Sequence, residues 1–288
     1  MEPIFESRIT SLLAKEWAEK AKTPKPTARG TKFRYSSSFG CERQQTYAAW
    51  GAEPSEAMDE AGAWATGLGT LVHEALQEAI GRVYPDAEFE VASGNENISG
   101  SCDALLQVNG KWVLYELKTM GTYSFDKQVG WNRMRATLGD AQGPALKAIA
   151  QAGMNALGIE KDRGIEIEYV VLGSLALEAL SKQKAATMGI SEPSRFSGEW
   201  WLTRDQWEPI AISELNRVER IAADVENGYI GERSARDDNG RDIWLDPLGS
   251  AWQCAYCAYR TTCVADGPGA PSVTESVINI NSKEQNNG

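Results

Sequence analysis

Ile4, Ile9, Leu12, Leu13 and Trp17 recur at helical spacing, so residues 4–22 are expected to form an amphipathic helix, which TPKPTARG at 23–30 breaks as a linker. A second helix is expected over 40–50, after Ser36, Ser37 and Ser38, which can cap it. Residues 53–62 are acidic and loop-like, and GLGTLVHEALQEAIGRV at 67–83 carries a strong helical period. The period then drops to two. AEFEVA (87–92), ISGSCDALLQV (98–108) and KWVLYELKT (111–119) alternate or run apolar, and Asn109-Gly110 between the last two is a hairpin signal. Downstream the pattern predicts a helix over 143–158 with Pro144 near its start and Gly158 at its end, and a strand over 165–173. Residues 175–187 read as either helix or loop; 198–204 reads as a short strand and 205–227 as a long amphipathic helix. Residues 264–288, rich in Gly, Pro, Ser and Asn, are expected to be a disordered tail. The order is that of an α/β protein with a mixed sheet, and no repeat is visible.

Composition narrows this little. The 288 residues are 42% hydrophobic and 24% charged, an ordinary globular balance. The longest uncharged stretches, 61–73 and 247–259, fall short of the roughly 18 apolar residues a membrane span needs. MEPIFESRIT has acids and no apolar core, so no secretory signal is expected. The net charge of −11 argues against a general nucleic-acid coat protein.

Three charges sit in otherwise apolar strands. Glu116 and Lys118 are two apart, so they share a face, and Leu117 points to the core behind them. Across the Asn109-Gly110 turn, residues summing to about 219 lie opposite each other, which sets Asp103 against Glu116. Two carboxylates at contact repel unless something neutralises them, and Mg²⁺ or Mn²⁺ takes oxygen ligands. A cation with an adjacent lysine is a minimal kit for phosphodiester hydrolysis. The plainer alternative is a surface ion pair, set against the cost of placing three charges among Leu105, Leu106, Val113 and Leu114. His73, the one histidine, is either a core residue or a nitrogen ligand to the same ion, while Glu74 and Glu78 read as solvated. Gln151 is either a phosphate-bonding side chain or a polar residue at a helix boundary.

Cys254 and Cys257 form a CxxC, Cys263 follows, and Cys41 stands far upstream. Spacing this tight without a secretory signal reads as metal ligation, with Cys41 as the natural fourth ligand. Four thiolates hold Zn²⁺ or an iron–sulfur cluster, and spacing does not choose between them. Cys102 reads as a small core residue facing away from Asp103.

Together these residues resemble the PD-(D/E)XK nuclease superfamily, in the RecB-like branch that carries an iron–sulfur cluster. That branch includes AddB-type nuclease domains, CRISPR-associated iron–sulfur exonucleases and small phage-encoded relatives. YSSSFGCERQQTYAAW (35–50) is similar to its leading serine turn and cysteine helix, GTLVHEAL (69–76) to its GxxxH motif, GSCDALL (100–106) and YELK (115–118) to its Asp and ExK motifs, and CAYCAYRTTC (254–263) to its cysteine-rich ending. The resemblance implies a restriction-endonuclease-like core over 35–263, with 1–34 as N-terminal helix and linker and the chain ends joined by a metal-cluster staple. It implies that His73, Asp103, Glu116 and the carbonyl of Leu117 hold Mn²⁺ or Mg²⁺, with Lys118 catalytic. It implies a [4Fe–4S] cluster on Cys41, Cys254, Cys257 and Cys263 in preference to zinc. Gln151 opens the family's Gln-xxx-Tyr motif, but position 155 is Asn, which puts the family's strand contact there in doubt. The implied activity is a cytoplasmic DNA exonuclease of a bacterium or a phage-infected host. It would act on single-stranded ends in recombination or repair, with a recombinase or helicase as candidate partner. The alternative is a module that binds nucleic acid without cutting it.

Charge distribution then revises the −11. Residues 118–147 hold five basic and two acidic side chains, against two and twelve in 46–117. Lys127, Arg133, Arg135 and Lys147 are candidate phosphate contacts, and Tyr123, Phe125 and Trp131 candidate stacking surfaces, on a basic track over an acidic body.

Overall fold

The Asn109-Gly110 turn folds as its residues demand. Both take left-handed backbone angles, φ 53° and 78°, and close a hairpin between β3 (Ile98–Val108) and β4 (Lys111–Met120). The register runs from Val108 opposite Lys111 to Ala104 opposite Tyr115. In this computed structural model, residues 33–56, 60–132, 135, 137–178, 180–189, 196–248 and 251–267 are described. The helix expected over 4–22, the linker at 23–30, Arg133 and the tail beyond 267 lie outside them.

The central sheet is mixed and six-stranded, in the order β1 (Phe33–Arg34), β3, β4, β7 (Ile167–Ala176), β8 (Ser197–Thr203), with β2 (Glu88–Gly94) also paired to β3, while β5 (Trp131–Asn132) and β6 (Thr137–Leu138) pair separately. β1–β3 and β4–β7 are parallel and the other pairs antiparallel. Helices cover both faces. On one, α4 (Leu146–Arg163) and α6 (Arg204–Glu226) bury Ile149, Ala152, Trp207 and Ile221 against Leu105, Leu114, Val170 and Leu172. On the other, α2 (Glu60–Val83) lays Ile80 on Ala104, Leu106, Val113 and Val171. The α/β fold with a mixed sheet flanked by helices thus follows the expected element order. Among the described residues, no helix is long and apolar enough to cross a membrane.

Several boundaries differ from expectation. A strand follows the expected linker: Phe33 is buried and pairs with Ile98. The serines do not cap α1 (Glu42–Ala49), whose N-cap is Cys41; Tyr35–Ser37 form a 3-10 turn in which the Ser38 hydroxyl donates to the Tyr35 carbonyl. α2 begins at Glu60, inside the supposed acidic loop. Gly158 does not end α4. It lies within the helix where a Cβ would sit 2.9 Å from the Ser93 side chain, and Gly164 at φ 64° is the true terminator. β7 runs on to Ala176, and the short α5 (Lys182–Thr187) follows; α3 (Thr122–Gln128) directly follows β4. After α6, hairpin β9 (Ser234–Arg236)–β10 (Asp242–Trp244) leads to α7 (Trp252–Ala255) and α8 (Arg260–Ala265), so residues 264 and 265 are helix rather than tail.

Candidate active site and cysteine cavity

β3 and β4 part company at Asp103. Their ladder stops at Ala104–Tyr115, while β1 occupies the same edge of β3 at Ile98 and Ser99. β2 pairs with β3 on either side but skips the Glu90–Asp103 step, where Glu90 adopts φ 49°. Cys102 and Leu105, three apart, consequently pack in the same cluster, which strict alternation would forbid. The unpaired step leaves Asp103 at the opening between the strands. Its Oδ2 accepts the Leu117 N–H at 2.6 Å and its Oδ1 lies 2.9 Å from His73 Nδ1.

His73 reaches this opening from α2. One turn earlier, Gly69 lies where a Cβ would be 3.2 Å from Thr119 Oγ1 on β4, so a glycine there suits the close approach of helix and strand. With Nδ1–H donating to the Asp103 carboxylate, the neutral tautomer leaves Nε2 as an available lone pair. From the other face, Gln151 on α4 completes the group. Glu116 Oε1 accepts from Lys118 Nζ at 2.8 Å and from Gln151 Nε2 at 2.7 Å, and Gln151 Oε1 accepts from Lys118 Nζ at 2.9 Å. His73, Asp103, Glu116, Lys118 and Gln151 are therefore brought together in one place. Asn155 is not among them. It is fully buried, with its Nδ2 donating to the Ser101 carbonyl and its Oδ1 accepting from Ser93, a tie between helix and sheet. Cys102 is likewise fully buried, and Glu74 and Glu78 are exposed.

Glu116 carries the strain of this arrangement. It is 3% exposed, and its Oε2 has no hydrogen-bond partner. Burial pushes its pKa up to about 7, Lys118 pulls it down and the Asp103 charge pushes it up again. His73 is also raised, first by its hydrogen bond to Asp103 and against the opposing effect of burial. Both folded values lie above the unfolded ones, so protonation favours the fold. Glu116's contribution is present below its ordinary 4.5 and is lost as pH rises through about 7. Metal-free protein is expected to lose roughly 3 kcal/mol from this group across that window. Urea unfolding at low and neutral pH measures it, and an unchanged slope in Glu116→Gln contradicts the assignment.

Among the described residues, no three His, Cys, Asp or Glu side chains already converge as a metal site. The donors present nevertheless suit a hard cation. An unpartnered buried carboxylate oxygen, a second carboxylate with lone pairs to spare and an imidazole Nε2 are its ordinary ligands. Leu117 adds its carbonyl. On a strand, N–H and C=O of one residue point to the same edge, and its N–H is turned toward Asp103.

Of the residues expected to form a basic track, Lys127 lines a surface groove near the start of α4. Two adjoining depressions share Tyr123, Lys127 and Gln142 and run from Trp131 to Ala145 and Leu146 at the start of α4. Exposed Lys147 follows, close enough that desolvation and the Lys118 charge lower its pKa. Tyr123 is 63% exposed, with Lys127 Nζ 5.8 Å from its ring centre. Phe125 is fully buried, so it offers no stacking surface. Trp131 has one face taken by Lys184, whose Nζ lies 5.1 Å from the ring centre and is held by buried Asp126. Arg135 is exposed. Acids line the groove too, at Asp126, Asp140 and Asp238.

Cys41, Cys254, Cys257 and Cys263 line a separate cavity, and none of the five cysteines of the chain forms a disulfide. Three of the four lie close enough to feel the others' charge: Cys41 that of Cys257 and Cys263, Cys254 that of Cys41 and Cys263, and Cys257 that of Cys263 and Cys254. Burial raises Cys41 to about 11, and also raises Cys254 and Cys257. The chain ends meet here by ordinary packing as well. Tyr47 stacks 5.5 Å from Tyr259 and donates to Asp266, and the Glu56 carboxylate accepts the N–H groups of Arg260 and Thr261. Buried Glu42, Glu214 and Arg217 hold the loop before Cys41: Glu214 accepts the Phe39 N–H and Arg217 donates to the Gly40 carbonyl. Three arginines, Arg43, Arg233 and Arg260, share the cavity wall. Of these, Arg260 stands inside the cysteine motif, whereas Arg233 has no local sequence signal.

No family model matches this chain, and no curated protein matches it. Among solved structures, the crystal structure of SSO0001 is similar, with 17% identity over 91% of this chain and 98% of that one, at a TM-score of 0.48.

Proposed function

We propose that the protein is a Mg²⁺- or Mn²⁺-dependent deoxyribonuclease with a restriction-endonuclease-like core. In this reading it is a RecB-like member of the PD-(D/E)XK superfamily that hydrolyses single-stranded DNA from its ends in recombination or repair. The observation that carries this is Glu116, a buried carboxylate with one unpartnered oxygen, set among His73, Asp103, Lys118 and Gln151.

His73 Nε2, Asp103, Glu116 and the Leu117 carbonyl would hold the cation, which when bound screens phosphate charge and makes water a stronger nucleophile. Asp103 orients His73 and keeps its Nδ1 protonated. Lys118 Nζ, fixed by Glu116 and Gln151, presents its remaining N–H to an incoming phosphate oxygen and stabilises the negative charge that builds there. Gln151 keeps Lys118 and Glu116 in register. Exposed Tyr123 and Lys147 and half-buried Lys127 guide the strand toward Lys118. Cys41, Cys254, Cys257 and Cys263 would carry the [4Fe–4S] cluster, joining the chain ends; the buried and half-buried thiols and the arginines beside them suit an anionic sulfur centre. Digestion of end-labelled DNA tests the activity.

The groove makes its own prediction. Each phosphate contact removed lowers the slope of log affinity against log salt by roughly 0.7 for a single strand. Lys127→Ala with Lys147→Ala is expected to weaken single-stranded DNA binding and flatten that slope by about twice this amount. Fluorescence anisotropy across a salt series reads it, and an unaltered slope removes both lysines from the DNA path.

A further inference from the structure

We propose that Arg233 is the hydrogen-bond donor and countercharge that positions the sulfur centre of the Cys41, Cys254, Cys257 and Cys263 cavity. This rests on the reading that the four thiols share one metal or iron–sulfur group. Arg233 is 6% exposed and lines the cavity with the thiols. Its Nη2 donates to the Cys263 carbonyl, which anchors one ligand's backbone. Its Nε is buried and has no partner.

A guanidinium cannot shed its proton, so an unmet buried N–H beside sulfur atoms calls for an acceptor. The other two arginines on the wall are committed elsewhere. Arg43 donates to the carbonyls of Gly231 and Gly267, and Arg260 to that of Pro247. Four thiolates around Zn²⁺, or around an oxidised [4Fe–4S] core of charge +2, leave two net negative charges. Burying them requires a nearby cation. The Arg233 fork thus offers one N–H to the ligand backbone and another to a cysteine or cluster sulfur.

The experiment uses the full chain, purified without oxygen, as wild type, Arg233→Gln and Arg233→Lys. Iron, zinc and sulfide are counted first. The rate of metal loss to a chelator is measured next, and for an iron centre the midpoint potential by titration with dithionite. Arg233→Gln keeps a neutral donor but no charge. It is expected to lose metal about 10- to 100-fold faster than wild type. Its potential should be more negative, since the reduced centre carries one more negative charge. Arg233→Lys should restore much of both. Wild-type protein with neither iron nor zinc overturns the cysteine-centre reading and the proposal with it. A fully loaded wild type and an Arg233→Gln protein that matches it in loss rate, and in potential where the centre is iron, overturn the proposal alone.

Discussion

Glu116→Gln is expected to lower Mn²⁺-dependent hydrolysis of single-stranded DNA by at least about 10³-fold while leaving the fold intact. The substitution keeps the shape and both hydrogen bonds at the Oε1 position but removes the charge that a cation needs. It also removes a buried carboxylate whose ionisation the fold resists, so stability at neutral pH should rise rather than fall. The two effects have opposite signs, which separates a catalytic loss from misfolding. Rates on labelled DNA and urea unfolding of the same preparation give both. A Glu116→Gln protein with wild-type rates would leave the Asp103–Glu116–Lys118 group as a structural ion pair.

The second large effect concerns the chain ends. Cys41→Ser is expected to empty the cysteine cavity and lower Tm by on the order of 10 °C, because binding to four thiolates adds directly to folding free energy. The cavity walls should not collapse altogether. Tyr47 on Tyr259 and the Glu56 carboxylate on α8 hold the ends together without metal. The variant should therefore melt early yet retain the central sheet. Anaerobic thermal melts followed by circular dichroism, with metal content on the same samples, check this. Unchanged Tm and unchanged metal in Cys41→Ser would remove Cys41 from the ligand set.

Much of the site could be read from local pattern, since local chemistry determines it. Asn109-Gly110 dictates the hairpin turn, and two-residue alternation places Glu116 and Lys118 together once the register is known. Other features depend on partners far away in the chain. β1 is only two residues long, too short for any periodicity, yet it occupies the edge that β4 leaves and so frames Asp103. The unpaired step at Asp103 interrupts the alternation used to read the strand, and nothing near Glu90 marks its left-handed angle. Gly158 reads as a helix end because glycine commonly is one; its actual role is the close passage over Ser93. Burial of Phe125, loss of one Trp131 face to Lys184 and the arrival of Arg233 at the thiols are tertiary facts of the same kind.

In the proposed deoxyribonuclease, Lys118 and the acids beside it cut phosphodiester bonds. The most direct measurement is digestion of 5′- and 3′-labelled single-stranded DNA by the full chain with Mn²⁺, wild type beside Lys118→Ala. Wild type is expected to shorten the DNA progressively from an end, and Lys118→Ala to bind it and leave it intact. Equal digestion by the two proteins, or DNA bound but uncut by the wild type, would contradict the account.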